Sequence, residues 1–502
     1  MYTTIKRCFF VALSLVIQIL FNVYIMLYFY KNITLVQFVV LLLSVIIVLN
    51  IVKNSKNLNN DLPWIITILI TPVFGTLIYI SIGESILGSK TLKNIYLKEK
   101  EAKKYYKIDP DVTKELEDKN LDKLKYFNNY LNIPVTTNNK ITYYEIGEKF
   151  YPEFIKELKK AEKFIFMEYF IINTKSSMWL EILEILKEKA ISGVDVRVMY
   201  DDAGSITVLP TTYKKYLESL KIKCVTFNEL KTFRGLFMNN RDHRKITVID
   251  GKVGFTGGVN LADEYLNIGS KYGHWKDNAI KLVGDSVWSL TVLFLTNWNA
   301  YRNEDKDYTK FKYEFKDIKK DGYIVCYGSS PITKNAKIAV DVYLNIINQA
   351  QKYLYIMTPY LIIDSNVINS LILAVKRGVD VKIVVPSIPD KKVVYSLTKS
   401  YIKNLVDEGV SIYTYTPGFV HAKVFVSDDK VATVGTINMD YRSLYLHFEN
   451  GVYIENNKVI KDIKLDAINT INKSHKVTKK EVKYGIFKDL WQSILRIFAP
   501  LF

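Results

Sequence analysis

His243-Arg244-Lys245-Ile246-Thr247-Val248-Ile249-Asp250 returns later in the chain as His421-Ala422-Lys423-Val424-Phe425-Val426-Ser427-Asp428. In both stretches a lysine stands two positions after the histidine and an aspartate seven positions after it. Only five histidines occur in 502 residues, so the recurrence carries information. The residues between Lys and Asp are mostly apolar and β-branched or aromatic, which predicts a strand. Side chains at i and i+2 of a strand share one side, so each imidazole stands beside its own ammonium at one strand end. Each strand then runs into a small-residue turn carrying an amide, Gly257-Gly258-Val259-Asn260 in the first copy and Gly435-Thr436-Ile437-Asn438 in the second.

Such a pair suits phosphoryl chemistry. A histidine serves as nucleophile or proton carrier near neutral pH, and a lysine holds a non-bridging phosphate oxygen as a point charge. With two histidines facing one another, one attacks phosphorus while the other protonates the leaving oxygen, and the roles reverse in the second half-reaction. Two lysines and two amides then hold the phosphoryl charge without a metal. A single His-x-Lys on a strand reads more simply as a surface histidine. The recurrence with the same trailing Gly and Asn turns that reading round.

These residues resemble the phospholipase D superfamily and, within it, the bacterial cardiolipin synthases. The first-half carriers are Asn239-Asn240-Arg241-Asp242-His243-Arg244-Lys245, Ile249-Asp250-Gly251, Gly257 to Asn260 and Asp263-Glu264-Tyr265. In the second half they are Thr358-Pro359-Tyr360, Gly418 to Lys423, and Gly435 to Asn438 with Met439-Asp440-Tyr441-Arg442-Ser443. The resemblance implies transfer of a phosphatidyl group from one phosphatidylglycerol to another, forming cardiolipin and glycerol through a phosphohistidine. It also implies that a carboxylate past each motif orients the histidine of the opposite half, so that Asp277 serves His421 and Glu449 serves His243. His243, Lys245, His421 and Lys423 are then the reacting set, with Asn260 and Asn438 supporting them. Asp250 and Asp428 complete the motif and count in the family as active-site residues, although their place at the far strand end favours a structural tie to the turn. His243 is taken as the nucleophile, but the near-symmetry of the halves allows the exchange.

Outward from the motifs, the chain alternates strands and helices from Ile141 on. Ala161 to Phe170 reads as a strand, Trp179 to Lys189 as an amphipathic helix and Gly193 to Val198 as the next strand. The order recurs in Ala350 to Met357, Val367 to Lys376 and Gly378 to Ile383, an internal duplication of βαβ type. The expected fold is therefore α/β: duplicated phospholipase D-like halves with mixed sheets and one shared site, at residues 141–303 and 321–502. A polar stretch at 304–320 reads as a solvated linker.

Residues 1–84 read as a membrane segment. Cys8 to Tyr30, Ile33 to Val52 and Leu62 to Ile82 are each close to the roughly 20 residues that span a bilayer as a helix. A cleaved leader is the rival for the first run, and a buried core is the rival for all three. Only Lys31 and Asn32 part the first two runs, so two or three spans are expected. The basic connector at 85–140 carries Lys90, Lys93, Lys98, Lys100, Lys103, Lys104 and Lys107, which marks the cytoplasmic side and attracts anionic headgroups. The catalytic part is accordingly expected at the cytoplasmic face of a bacterial cell membrane. Lys6 and Arg7 also favour that side, against an odd number of spans.

The net charge of +18 calls for a polyanionic partner, membrane or nucleic acid. The apolar runs favour anionic lipid, and no nucleic acid is expected; a nuclease would leave them unexplained. A hydrolase, or a transferase to another alcohol, shares the same chemistry, and a lipid-sensing scaffold would have no use for two matched motifs. Cys8, Cys224 and Cys326 show neither disulfide nor zinc spacing. With no Gly-rich phosphate loop and no metal-ligand cluster in the sequence, no cofactor or metal is expected. His274 and His447 lie beside the carboxylates without the lysine spacing and read as bystanders, and His475 as solvated. Ile486 to Phe502 is amphipathic at helical spacing and either packs on the second half or lies on the membrane.

Overall fold

A computed structural model describes residues 34–55, 58–82, 90–229, 240–316 and 318–501, apart from 270 and 333–336, with isolated positions between 16 and 28. The first apolar run, Cys8 to Tyr30, and Asn239 of the first motif fall largely or wholly outside these residues.

In the first half, β1 (Asn139–Tyr144), β2 (Phe164–Tyr169), β3 (Asp195–Asp201), β4 (Lys223–Phe227), β5 (Ile246–Ile249), β6 (Val253–Gly257) and β8 (Ala279–Gly284) form one sheet in the order β1-β8-β6-β5-β2-β3-β4. The short β7 (His274–Lys276) lies outside it. β2, β3 and β4 run parallel, and the remaining neighbours are antiparallel. The parallel step from β2 to β3 needs a crossover. The helix Ser177–Ile191 supplies it, opened by the Ser176 hydroxyl accepting from the Trp179 N–H at 3.4 Å.

The second half repeats this order. β9 (Tyr323–Ser329), β10 (Tyr353–Met357), β12 (Asp380–Pro386), β13 (Ser411–Tyr415), β15 (Val424–Ser427), β16 (Val431–Gly435), β18 (Glu449–Glu455) and β19 (Ser474–Lys476) form the second sheet. Its order, β9-β18-β16-β15-β10-β12-β13-β19, matches the first strand for strand and adds β19 at the end. The crossover is Ser365–Lys376, with Asp364 accepting from the Val367 N–H at 3.0 Å. β11 (Leu361–Ile362) pairs with β17 (Met439–Asp440), and β14 (Gly418–Val420) reaches across to pair with β7. The duplication and the mixed sheets are thus as the sequence predicts.

β2, β5 and β6 are buried at every position, as are β15, β16 and β18, because helices or the other half cover both faces. The stretch between the halves is more than a solvated linker. Asp305 accepts from the Arg197 guanidinium at 2.5 Å, and the Phe311 ring packs on Phe164 and Phe166 at 5.1 and 5.0 Å. The connector also enters the core: the Phe127 ring lies 5.4 Å from Tyr327 and 5.2 Å from Tyr453.

The second apolar run forms a helix, Thr34–Asn54. The third is not one helix but two, Leu58–Ile70 and Pro72–Ile82, broken at Thr71. Pro72 has no N–H to continue the ladder and its ring crowds the preceding turn, so it starts a new helix instead. Counted over the described residues, which in Thr34–Asn54 include side chains only from Phe38 on, no helix is long and apolar enough to cross a membrane.

Candidate active site

Each motif strand is aimed at the other half by a backbone pairing. β14, which leads into His421, runs parallel to β7, which leads into Asp277, and the His421 N–H donates to Lys276 O at 2.7 Å. The other half-site uses the same device in shorter form: Asp242 bridges Phe448, and the His243 N–H donates to Phe448 O at 2.8 Å. Each histidine is thereby fixed next to the residue that precedes the opposite carboxylate.

The side chains follow. His243 Nδ1 lies 3.0 Å from both oxygens of Glu449, and His421 Nδ1 lies 2.6 Å from Asp277 Oδ2. With Nδ1 donating to a carboxylate, the lone pair of each neutral ring is on Nε2. Lys245 Nζ donates to His243 O at 2.7 Å, and Lys423 Nζ donates to His421 O and lies 3.0 Å from His421 Nε2. His243 and His421 are only 6% and 7% exposed, and both lysines are 1% exposed. The Thr436 hydroxyl donates to Glu449, and the Asn278 N–H to Asp277 at 2.8 Å, which locks the two carboxylates in place.

Burial sets the charge states. It pushes His243 down to about 3 and His421 down to about 4, against the pull of their carboxylates, so both rings are neutral at pH 7. Burial likewise lowers Lys245 to about 7 and Lys423 to about 8. For Glu449 and Asp277 burial acts upward but is outweighed by the facing histidines, and both stay ionised. The Lys423 charge acts on Lys245, and the Lys245 charge acts on His421, so the two half-sites form one electrostatic unit.

Asp250 and Asp428 sit elsewhere. Asp250 accepts the N–H groups of Glu162, Lys163 and Phe164 at 2.9, 2.7 and 2.9 Å. Asp428 accepts those of Gln351, Lys352 and Tyr353 at 2.8, 2.8 and 2.9 Å. Both have positive φ, 54° and 57°, at the turn that ends the motif strand. They tie that strand to the entry of β2 or β10 rather than to the turn after it. Asn260 accepts from the Ile171 N–H at 3.1 Å and donates to the Tyr265 hydroxyl at 2.6 Å, while Asn438 donates to Asp440 at 2.9 Å. Each amide has a second N–H.

His274 Nδ1 meets the Tyr415 hydroxyl at 3.0 Å, and the exposed His475 pairs with Glu481 at 2.8 Å. His447 stands beside the His243–Glu449 pair: its ring centroid lies 5.8 Å from that of His243, and its Nδ1 3.7 Å from Glu449 Oε1. With Glu449 and His243 it forms a three-donor cluster, contrary to the expectation that the chain holds no metal-ligand group. Its place two residues before Glu449 on extended backbone was the available signal. Behind the motif lies a second buried group that sequence reasoning did not pick out. Asn297 donates to Glu168 at 2.7 Å, Arg244 Nη1 stands 4.0 Å from Glu168, and burial with the nearby Glu168 carboxylate raises Asp242. Arg244 also donates to Glu449 O at 3.3 Å, linking this group to the site.

Comparison with known proteins agrees with this geometry. The family described as "Cardiolipin synthase, PLD-like domain" matches residues 154–271 and 343–467, one segment in each half. An uncharacterized protein of Streptococcus mutans is 43% identical over 90% of this chain and 99% of its own length. A cardiolipin synthase of Clostridium perfringens is 34% identical over 89% of this chain and 95% of its own. Among solved structures, a phosphatidylserine synthase of Haemophilus influenzae superposes with a TM-score of 0.57 at 15% identity, covering 76% of this chain and 98% of that one, which shows a shared fold. Two cross-paired His-Lys half-sites on a duplicated fold, carried by a sequence that matches a cardiolipin synthase over 89% of its length, lead to one conclusion: the chain belongs to the cardiolipin synthases, phosphatidyltransferases of the phospholipase D superfamily.

Proposed function

We propose that the chain transfers a phosphatidyl group from one phosphatidylglycerol to the terminal hydroxyl of a second, with His243 as the nucleophile. His421 takes up a solvent proton on Nε2 as the anionic phosphodiester binds beside it; His243 Nε2 then attacks phosphorus, the bond to the glycerol oxygen breaks, and the Nε2 proton of His421 passes to that oxygen and releases glycerol. His421 then takes the proton of the acceptor hydroxyl, whose oxygen attacks phosphorus and breaks the P–N bond, giving cardiolipin. Lys245 and Lys423 hold the non-bridging oxygens, joined by the second N–H of Asn260 and Asn438. Asp277 and Glu449 hold the rings in the required tautomer and stabilise each imidazolium as it forms.

The observation that carries this reading is the crossed pairing of His243 with Glu449 and His421 with Asp277. With Nδ1 of each buried ring taken by a carboxylate of the opposite half, Nε2 is the nitrogen left for chemistry on both, which supports a two-step transfer. Purified protein in detergent–lipid micelles with phosphatidylglycerol as the sole lipid tests it. Cardiolipin plus glycerol, lost in His243→Ala, is the expected result. Phosphatidic acid instead would make water the acceptor and the chain a hydrolase.

We further propose that the N-terminal region anchors the protein to the cell membrane with the catalytic halves on the cytoplasmic side. Leu41, Leu42, Leu43, Ile46 and Leu49 of Thr34–Asn54 are each at least half exposed, a surface suited to lipid. The lysines of the helix Lys90–Ala102 suit an anionic headgroup layer beside it. The C-terminal helix Ile486–Ile497 combines both readings of its sequence. One side packs on the second half through Leu495, the Asp489–Lys403 ion pair at 2.8 Å and Arg496 over Tyr401, while Ile486 and Phe487 on the other are 84% and 90% exposed. That exposed side rests on the bilayer surface in this reading.

A further inference from the structure

The two half-sites differ at one telling position. Two residues before Asp277 stands Trp275, whose ring lies 5.4 Å from that of His421; two residues before Glu449 stands His447, whose ring lies 5.8 Å from that of His243. An indole can only donate a hydrogen bond, whereas an imidazole offers a lone pair. Among the described residues, one half-site therefore has a third metal-binding donor and the other does not.

His447, His243 and Glu449 each offer a ligand atom, all within 4.8 Å of one another. Both ring nitrogens of His447 are buried, with Nδ1 3.7 Å from Glu449 Oε1 and neither within hydrogen-bond distance of a partner among the described residues, a costly state for a polar group unless something else meets it. Two imidazoles and a carboxylate are the donor set of a zinc site with an open fourth position, and a poor match to the all-oxygen shells of Mg2+ and Ca2+.

We propose that His243, His447 and Glu449 form a site for a first-row transition-metal ion, Zn2+ by its donors, and that occupancy switches the transferase off. The proposal rests on the reading of His243 as a reacting group. The ion would bind Nδ1 of His243 in place of the hydrogen bond to Glu449, in the tautomer whose lone pair is on Nδ1. The single proton of the neutral ring then moves to Nε2, and the nitrogen that attacks phosphorus loses its lone pair. No proton is gained or lost, and no covalent bond to phosphorus is involved.

The test is a Zn2+ titration of the full-length protein in phosphatidylglycerol micelles, with bound metal read by equilibrium dialysis and cardiolipin formation read in parallel. One Zn2+ per chain and a loss of activity reversed by a chelator are expected. His447→Gln should keep its metal-free activity and need at least about tenfold more Zn2+ for both binding and inhibition. Equal inhibition of His447→Gln and the unaltered protein would overturn the proposal, as would Zn2+ held through His447 with activity undiminished. Co2+ gives a check that needs no variant: the strong visible bands of a four-coordinate N/O site support the proposal, and the weak spectrum of six-coordinate Co2+ overturns it. His243→Ala assayed without metal keeps the two questions apart, because activity retained there would refute the catalytic reading whatever Zn2+ does.

Discussion

Gly258 stands directly against the carboxylate of Asp277: a Cβ at Gly258 would lie 2.0 Å from Asp277 Oδ1. Neither atom could stay in place. The second glycine of the Gly257-Gly258 turn is therefore a requirement of the His421–Asp277 pair. In the other half Thr436 occupies the matching position and gives its hydroxyl to Glu449. The same place in the repeat serves one carboxylate by vacating space and the other by donating a hydrogen bond.

Gly258→Ala should thus displace Asp277 and misorient His421, lowering kcat by about a hundredfold, the usual cost of a shift near 1 Å in a reacting group. Steady-state rates of cardiolipin formation check this. Thermal unfolding measured alongside shows whether the fold is retained.

The alkaline limb of the pH profile should belong to the lysines. A lysine holds a phosphoryl oxygen only when protonated, and burial lowers Lys245 to about 7 and Lys423 to about 8 in the free protein. The charged form is lost as pH rises through these values, so kcat/KM should fall above neutrality. Lys245→Arg, which stays charged throughout, should move that limb upward even while lowering the rate through altered geometry. A limb unmoved by the substitution would assign it to another group.

Asp250→Ala and Asp428→Ala should behave alike and differ from changes at the histidines. Each removes an acceptor for three backbone N–H groups that join the motif strand to its neighbour. Hydrogen bonds to a charged group contribute about 1.5–3 kcal/mol each at most, and the left-handed turn position suits Asp better than Ala, so a loss of about 3 kcal/mol or more in stability is expected. Chemical denaturation checks it, with turnover per folded molecule expected to change much less than stability.

Much of this was legible in the sequence, because a strand fixes which side chains share a side. His243 with Lys245 and His421 with Lys423 follow from alternation alone, and the repeat of the whole strand order follows from the repeat of the motifs. The crossed carboxylate pairs came from the family resemblance, since no local rule tells which half a carboxylate faces. His447 was passed over because its donors matter only in relation to His243, which approaches it from far away in the chain. The break at Thr71–Pro72 was masked by continuous hydropathy, although the proline itself was in view. Asp305 and Phe311 looked like linker because polar composition says nothing about a partner such as Arg197.

Phe487→Glu combined with Trp491→Glu places charge on the exposed side of the C-terminal helix, where the two residues are 90% and 55% exposed. On phosphatidylglycerol vesicles the apparent KM should rise on the order of tenfold with kcat held, since the buried face is untouched. An unchanged KM would mean that this side does not meet the lipid surface.

In the proposed reaction His243 carries the phosphatidyl group between donor and acceptor. The most direct test of this is a rapid alkaline quench of the protein turning over phosphatidylglycerol, followed by digestion and mass spectrometry of the histidine peptides. A phosphatidyl adduct on the peptide containing His243, absent in His243→Ala, is the predicted result. An adduct on the peptide containing His421, with none on that containing His243, would make His421 the nucleophile instead.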